Sequence, residues 1–343
     1  MPHWGGVLDE LRKRQQPVEE SPHDSLRREY LSDLNEKTDR DVILYSSGWT
    51  HMNAQSGQFS ISDSDTHGLM QVFYGLDGSE LDLILHSPGG TPTAAESLVN
   101  YLRSKFDHLR IFVPHAAMSA ATMICCAADE LVMGRHSSLG PIDPQLTLNT
   151  PTGIRSVPAQ AILEQFQQAK EEIKQDQDNL AQWTPIIRQY GPGLLVECEQ
   201  AINLSHELAE QWSREYMFSG DPNAKAKADK LAETLSDFEL FKSHGRHINR
   251  DKAREYGFNV TDLEDDQELQ EIILSLYHAT TLTHTQTGIA KIIENHNENA
   301  FIQSLRSGES DNNHGRGGSQ SGMRNPTTQP PEGPPQRTEE EDN

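Results

Sequence analysis

A chain of 343 residues has room for one large domain or two ordinary ones. Only 34% of it is hydrophobic and its mean hydropathy is -0.68, so a core must be diluted by polar helices and a polar tail. A formal charge of -23 repels phosphate backbones and anionic headgroups, which argues against nucleic acid and stable membrane insertion as partners. The first residues, MPHWGGVLDELRKRQQ, lack the apolar stretch of a signal peptide. No segment reaches the roughly 18 to 20 apolar residues that span a bilayer, and a cytoplasmic location is the expectation. Cys125, Cys126 and Cys198 have no ligand partners at metal spacing. They read as small core residues in a reducing compartment, and neither a metal nor a cofactor is expected.

In chain order, residues 1–40 are rich in charge and Gln with scattered Leu, and predict a helical arm, one or two exposed helices, packing on a neighbouring subunit. From Asp41 the texture changes. DVILYSSG, LDLILHS (81–87), LRIFVPH (109–115) and DELVMG (129–134) are short, branched, apolar runs, the signature of buried strands. Helical patterns separate them: Thr66 to Leu76, then Thr91 to Phe106 with Thr91 or Thr93 as cap, then Ser119 to Ala128, apolar all round. Strands alternating with helices predict an α/β fold of repeated βα units with a mainly parallel sheet over 41–150. Residues 151–303 read as a mostly helical region that completes the site, with helical periodicity over 158–177, 179–190, 194–216, 222–236 and 265–300. Residues 304–343, dominated by Gly, Pro, Ser and acid, read as a disordered acidic tail.

Two segments can carry chemistry. In HSPGGTPTAAESLVNYL (His86 to Leu102), a strand ends in Ser-Pro, two glycines follow, and a helix starts at once. Gly89 and Gly90 let the backbone turn tightly and present N–H groups at a helix start, where an oxyanion is welcome. The plain alternative is a βα turn with glycine for steric reasons. In HAAMSAATMICCAADELVMG, Ser119 stands where a strand gives way to a buried helix. There it is either a helix cap or a nucleophile favoured by the helix dipole, with the Ala120 N–H as a second oxyanion donor.

The SPGG turn, its amphipathic helix and the MSAA turn resemble the Clp protease proteolytic subunit and signal peptide peptidase A. Gly90 and Ser119 lie 29 positions apart, a spacing typical of that group. The wording of RREYLSDLNEKTDRDVILYSSGW, GPIDPQ, QFQQAKEEI, YGPGLL, HGRHI and KIIEN resembles the serine dehydrogenase proteinase family, over about residues 28 to 300. The resemblance implies a Clp/crotonase-like core and an oligomer. It also implies a serine endopeptidase with Ser119 as nucleophile, and an oxyanion hole from Gly89 or Gly90 with Ala120. A Clp-type histidine is missing where the family places it: SSLGPIDPQ has Asp143 there, and His115 and His136 fall at other spacings, although His244 or His247 can fold back.

Lysine-based members of the group carry their base on a later segment, here SVPAQAILEQFQQAKEEIKQD. Ser156 and Pro158 suit a helix start, and Ile162, Leu163, Phe166, Ala169 and Ile173 form an apolar stripe. Lys170 is expected within that stripe, 51 positions after Ser119, where desolvation would free a neutral amine to act as base; Lys174 is the alternative. The plain reading of Lys170 is a side chain that snorkels or pairs with Glu164 or Glu171. Elsewhere, His244 and His247 in SHGRHI read as a hydrogen-bonded turn rather than a metal pair, Asp143 and Gln145 as ordering the loop beside the site, and Trp49 and Trp183 as packing residues. Two rival readings are an acyl-CoA hydratase-like enzyme and a non-catalytic scaffold on the same fold.

Overall fold

The computed structural model describes residues 4–13, 21–52, 57–150 and 153–305. The tail expected from residue 304 lies outside these from residue 306 onward. Five segments with the branched, apolar texture of buried strands, or added to such strands, run parallel. They are β1 (Asp41–Ser47), β2 (Glu80–His86), β3 (His108–Val113), the later β5 (Glu130–Met133) and β10 (Val260–Asp262). Between the first of them lie α3 (Ser64–Val72) and α4 (Pro92–Lys105), the latter capped by Thr91 Oγ1 accepting the Ala94 N–H at 3.3 Å. Beyond β3 come the two-residue β4 (Ala116–Ala117), then α5 (Ala120–Cys126), and after β5 the two-residue β6 (Ser138–Leu139).

Period-2 alternation sorts the strand side chains between two cores. Ile43, Tyr45, Leu81, Leu83, Leu85, Ile111 and Val113 join the core under α3, α4 and α5. Val42, Leu44, Ile84, Phe112 and Val132 face the other way, onto Leu31 and Leu34 of α2 (Pro22–Thr38) and Ile273 and Leu276 of α12 (Gln267–Thr287). Each such side chain taken from water contributes about 1.5–3 kcal/mol.

The N-terminal helices, expected as an exposed arm packing on a neighbouring subunit, instead pack on their own chain. The first helix, α1 (Trp4–Lys13), sets Val7 and Leu11 against Leu26 of α2 and Ala279 and Leu282 of α12, all in the same chain. A second correction concerns residues 289–300, expected to continue the helix begun at 265. Gly288, at φ +73, ends α12, and the chain turns into the antiparallel hairpin of β11 (Ile289–Asn295) and β12 (Ala300–Ser304). β11 pairs antiparallel with β1, giving the seven-stranded order β10-β5-β3-β2-β1-β11-β12.

A third difference lies at 145–158, where β7 (Gln145–Thr150) and β8 (Gly153–Pro158) form a hairpin. Ser156 is inside β8, and the following helix α6 (Ala159–Gln175) starts after Pro158. Then come α7 (Asn179–Ile187), α8 (Leu194–Trp212, prolonged by a π-turn to Met217), α9 (Ala224–Ser236) and α10 (Phe238–Phe241). The two-residue β9 (Ile248–Asn249) and α11 (Arg250–Tyr256) lead into β10. Among the described residues, no helix is long and apolar enough to cross a membrane.

Candidate active site

Four backbone segments lie side by side at one end of the main sheet. Ser87 bridges Ala117 in parallel, Ala117 of β4 pairs in parallel with Leu139 of β6, and Leu139 pairs antiparallel with Ile248 of β9. Hydrogen bonds from the Ser87 N–H to the Ala116 carbonyl (3.1 Å) and from the Met118 N–H to the Ser87 carbonyl (3.0 Å) fasten the first two. Direction then decides what meets. Gly89 and Gly90 follow Ser87, Ser119 follows β4 and Asp143 follows β6, so all emerge at the same end. Because β9 runs the other way, residues that precede it, His244 among them, arrive at that end too.

Ser119 precedes α5 with φ 53 and ψ -121, a left-handed backbone that costs a non-glycine residue about 1–3 kcal/mol and that concentrates at functional sites. It is half-buried, whereas its neighbours Met118 and Ala120 are buried. A strained strand-to-helix turn of this kind is a geometry that can present a side-chain hydroxyl. The turn is held from behind by Thr122, whose hydroxyl donates to the Ala117 carbonyl at 2.8 Å and accepts the Gly140 N–H at 3.0 Å.

The glycine pair meets this turn at backbone distance. Gly89 has φ +92, and a Cβ there would lie 2.4 Å from the Met118 carbonyl oxygen and 2.8 Å from Ser119 Cβ. At Gly90 a Cβ would lie 2.0 Å from the Ile61 carbonyl oxygen, because Ile61 and Gly90 form a parallel bridge. That bridge uses the Ile61 N–H to the Gly89 carbonyl (2.7 Å) and the Thr91 N–H to the Ile61 carbonyl (3.3 Å). The Gly89 N–H is committed to Ser87 Oγ at 3.1 Å. The Gly90 and Ala120 N–H groups have no acceptor among the described residues. Two undirected donors beside a strained serine are what an oxyanion hole requires.

The lysines are placed differently from expectation. Ala159, Ile162 and Ala169 are the buried side chains of α6, and Lys170 and Lys174 are both exposed. Neither ammonium makes a hydrogen bond or ion pair among the described residues. The α6 stripe joins Leu194 and Cys198 in a small cluster of its own, separate from the core that contains Ala120. An apolar cavity of about 350 Å³ between α6, α7 and the β7–β8 hairpin, lined by Leu148, Val157, Ile162 and Tyr190, belongs to that cluster.

The SHGRHI turn is drawn into the site end of the small sheet. His247 Nδ1 lies 2.8 Å from Ser138 Oγ, and His244 Nδ1 lies 2.8 Å from Asp143 Oδ1. Gln145 Nε2 donates to the other Asp143 oxygen at 2.8 Å. No group of three or more metal-ligating side chains occurs among the described residues. Burial pushes the Cys125 thiol well up and Cys126 up to about 12, so neither provides a thiolate nucleophile.

The sequence profile of the family described as ClpP-like SDH-type serine proteinase matches residues 58–284. A protein of Methanocaldococcus jannaschii, described as uncharacterized, is 29% identical over 180 residues, covering 52% of this chain and 53% of its own length. A second from the same organism is 34% identical over 96 residues, 28% of this chain and 30% of its own. This chain thus spans about half the length, or less, of these relatives. Among solved structures, a membrane-bound stomatin-specific protease, 1510-N, matches at 15% identity and TM-score 0.37, covering 61% of this chain and 78% of its own. ClpP1 of Listeria monocytogenes matches at 14% and 0.31, covering 69% and 99%. The profile match and the parallel sheet agree on a Clp-like α/β fold, and the chain belongs to the family of ClpP-like SDH-type serine proteinases.

Proposed function

We propose that this chain is a serine endopeptidase acting on protein or peptide substrates, and that it works as a homo-oligomer. The observation that carries the reading is Ser119, held at φ 53 against Gly89 and flanked by the undirected N–H groups of Gly90 and Ala120. Ser119 Oγ attacks the peptide carbonyl, and the carbonyl's electron pair moves to an oxygen received by those two donors. The serine proton passes to a base and from there to the leaving amine as the C–N bond breaks. Water then hydrolyses the acyl-enzyme by the reverse proton path.

In the Ser-Lys form of this mechanism the base is Lys170, with Lys174 as the alternative. Support comes from its spacing after Ser119 and from α6 starting beside the site, where the Ala159 N–H donates to the Pro144 carbonyl at 2.9 Å. Among the described residues nothing covers either lysine, so this dyad needs another surface, substrate or a second copy, over α6.

Fluorophosphonate labelling with the modified peptide mapped tests the proposal. Modification of Ser119 in the wild type and none in Ser119→Ala is the expected result. A folded wild type that stays unmodified would exclude an activated serine. Labelling retained by both Lys170→Ala and Lys174→Ala would remove the lysine dyad while leaving the peptidase.

A further inference from the structure

Asp143 is buried and both of its carboxylate oxygens are engaged, one by Gln145 Nε2 and one by His244 Nδ1, each at 2.8 Å. A carboxylate only accepts, so the proton between Asp143 and His244 sits on Nδ1. That leaves Nε2 of His244 as the nitrogen with the lone pair. Its imidazole is part-exposed, with 29% of the side chain open to solvent, as a group that meets substrate must be.

The backbone brings this pair to the serine. Gly140, three residues before Asp143, packs against the nucleophile turn: its N–H is bonded to Thr122 Oγ1, and a Cβ there would lie 3.3 Å from Met118 Cα. Asp143 is four residues beyond Leu139 and His244 four residues before Ile248, and those two are directly paired. Ser119 is two residues beyond Ala117, the partner of Leu139 on its other side. The three side chains leave three adjacent strands at one end. His247 pins the turn by its bond to Ser138. Unlike Lys170, His244 is held in one orientation by a buried acceptor.

We infer that His244 is the general base for Ser119 and that Asp143 is the residue that positions it. This rests on the serine-peptidase reading and deepens it, with His244 in place of the lysine of the Ser-Lys form. The Ser119 proton goes to His244 Nε2 as the Oγ–C bond forms and the carbonyl pair moves to the oxyanion. The imidazolium returns that proton to the leaving nitrogen as the C–N bond breaks, and the same exchange with water releases the acyl group.

The test is the rate of fluorophosphonate labelling at Ser119 in the full chain. His244→Gln, which keeps a polar side chain of similar reach, is expected to lower it about 10²–10⁴-fold. Asp143→Asn, which favours the wrong tautomer, should lower it by a similar order. In His244→Gly, added imidazole should restore labelling, a response that a merely structural histidine would not show; absence of any rescue in a folded variant counts against the inference. Labelling of His244→Gln at the wild-type rate overturns it, as does loss of labelling in Lys170→Met while His244→Gln keeps it. A wild type unmodified at Ser119 overturns the nucleophile itself, and is told apart because no variant is then needed to see it.

Discussion

Lys291 Nζ lies 2.7 and 2.8 Å from the two carboxylate oxygens of Asp65, and both side chains are buried. The same ammonium donates to the Ser60 carbonyl at 2.8 Å, and Tyr45 donates its hydroxyl to Asp65 Oδ2 at 2.7 Å. Ser60 precedes Ile61, whose N–H holds the Gly89 carbonyl. Burial lowers the Lys291 pKa from its ordinary value, and Asp65 opposes that shift.

Lys291→Met alone would strand the Asp65 carboxylate in the core and should cost about 3–5 kcal/mol. Adding Asp65→Asn removes the stranded charge and should recover part of that loss. Urea midpoints of the wild type, the single and the double variant check this. A double variant no more stable than the single one would show that the uncompensated carboxylate is not the cause.

Gly89→Ala should fail on two counts, a left-handed φ and a Cβ 2.4 Å from backbone at Met118. Gly90→Ala meets the Ile61 backbone and should displace the Gly90 N–H, which serves the oxyanion in the proposed mechanism. Loss of one such donor lowers kcat by about 10²–10³-fold. Peptidase assays with kcat and KM separated should show the fall chiefly in kcat.

Thr122→Val keeps the shape of the threonine but removes its hydroxyl, leaving the Ala117 carbonyl and the Gly140 N–H unpaired in a buried place. About 1–3 kcal/mol should be lost, and Thr122→Ser should retain most of it. Thermal melts of the two variants decide. Equal stability of Val and Ser variants would show that the clip contributes nothing.

Two deeply buried histidines contribute to the response to acid. Burial lowers His86 from the ordinary 6.5 to about 3 and His284 to about 4. His86 sits among the rings of Trp49, His115 and Tyr277, and His284 Nδ1 lies 2.7 Å from the Ile289 carbonyl. Above the unfolded value both are neutral folded or unfolded, and their contribution does not change with pH. As pH falls below it, the unfolded chain takes up protons that the folded chain refuses. Stability is then lost toward the folded values, at up to about 1.4 kcal/mol per pH unit for each histidine. Denaturant titrations between pH 6.5 and 5 should show this slope, and His86→Asn should reduce it by one proton.

The parallel strands β1, β2, β3 and β5 were legible because a strand buried on both faces reads as an unbroken apolar run, as in DVILYSS and LDLILH, whereas the three-residue β10 was not. β11 was not, since Lys291 and Glu294 interrupt IAKIIEN and disguise a buried strand as the end of an amphipathic helix. Gly288 after Thr287 was the stop signal. In β7 and β8, the alternation of LTLNT and IRSV was a strand signal that the mostly helical reading from residue 151 passed over. The two-residue strands that assemble the site carry no sequence pattern, because only their partners define them. The tight turns at Ser119 and at the two glycines were readable from local chemistry. The Asp143–His244 contact was not, since 101 residues separate its members. Lys170 was expected within the stripe that includes Ala169; Ala169 is buried, but the next residue points about 100° away round the helix, and Lys170 is exposed.

β11 supplies counter-charges to two distant parts of the chain. Besides Lys291 for Asp65, it brings Glu294, which pairs with Arg27 and, at 2.9 Å, with Arg28 of α2. During synthesis, β1 to β3 and α2 leave the ribosome long before this strand exists. Until it arrives, β1 has an open edge and the buried Asp65 has no counter-charge, so the early sheet is not expected to close into a stable intermediate on its own. Folding should therefore be a late and concerted event, slow as its long-range pairing demands. A chain stopped after α12 should be insoluble, rather than a smaller working version of the protein.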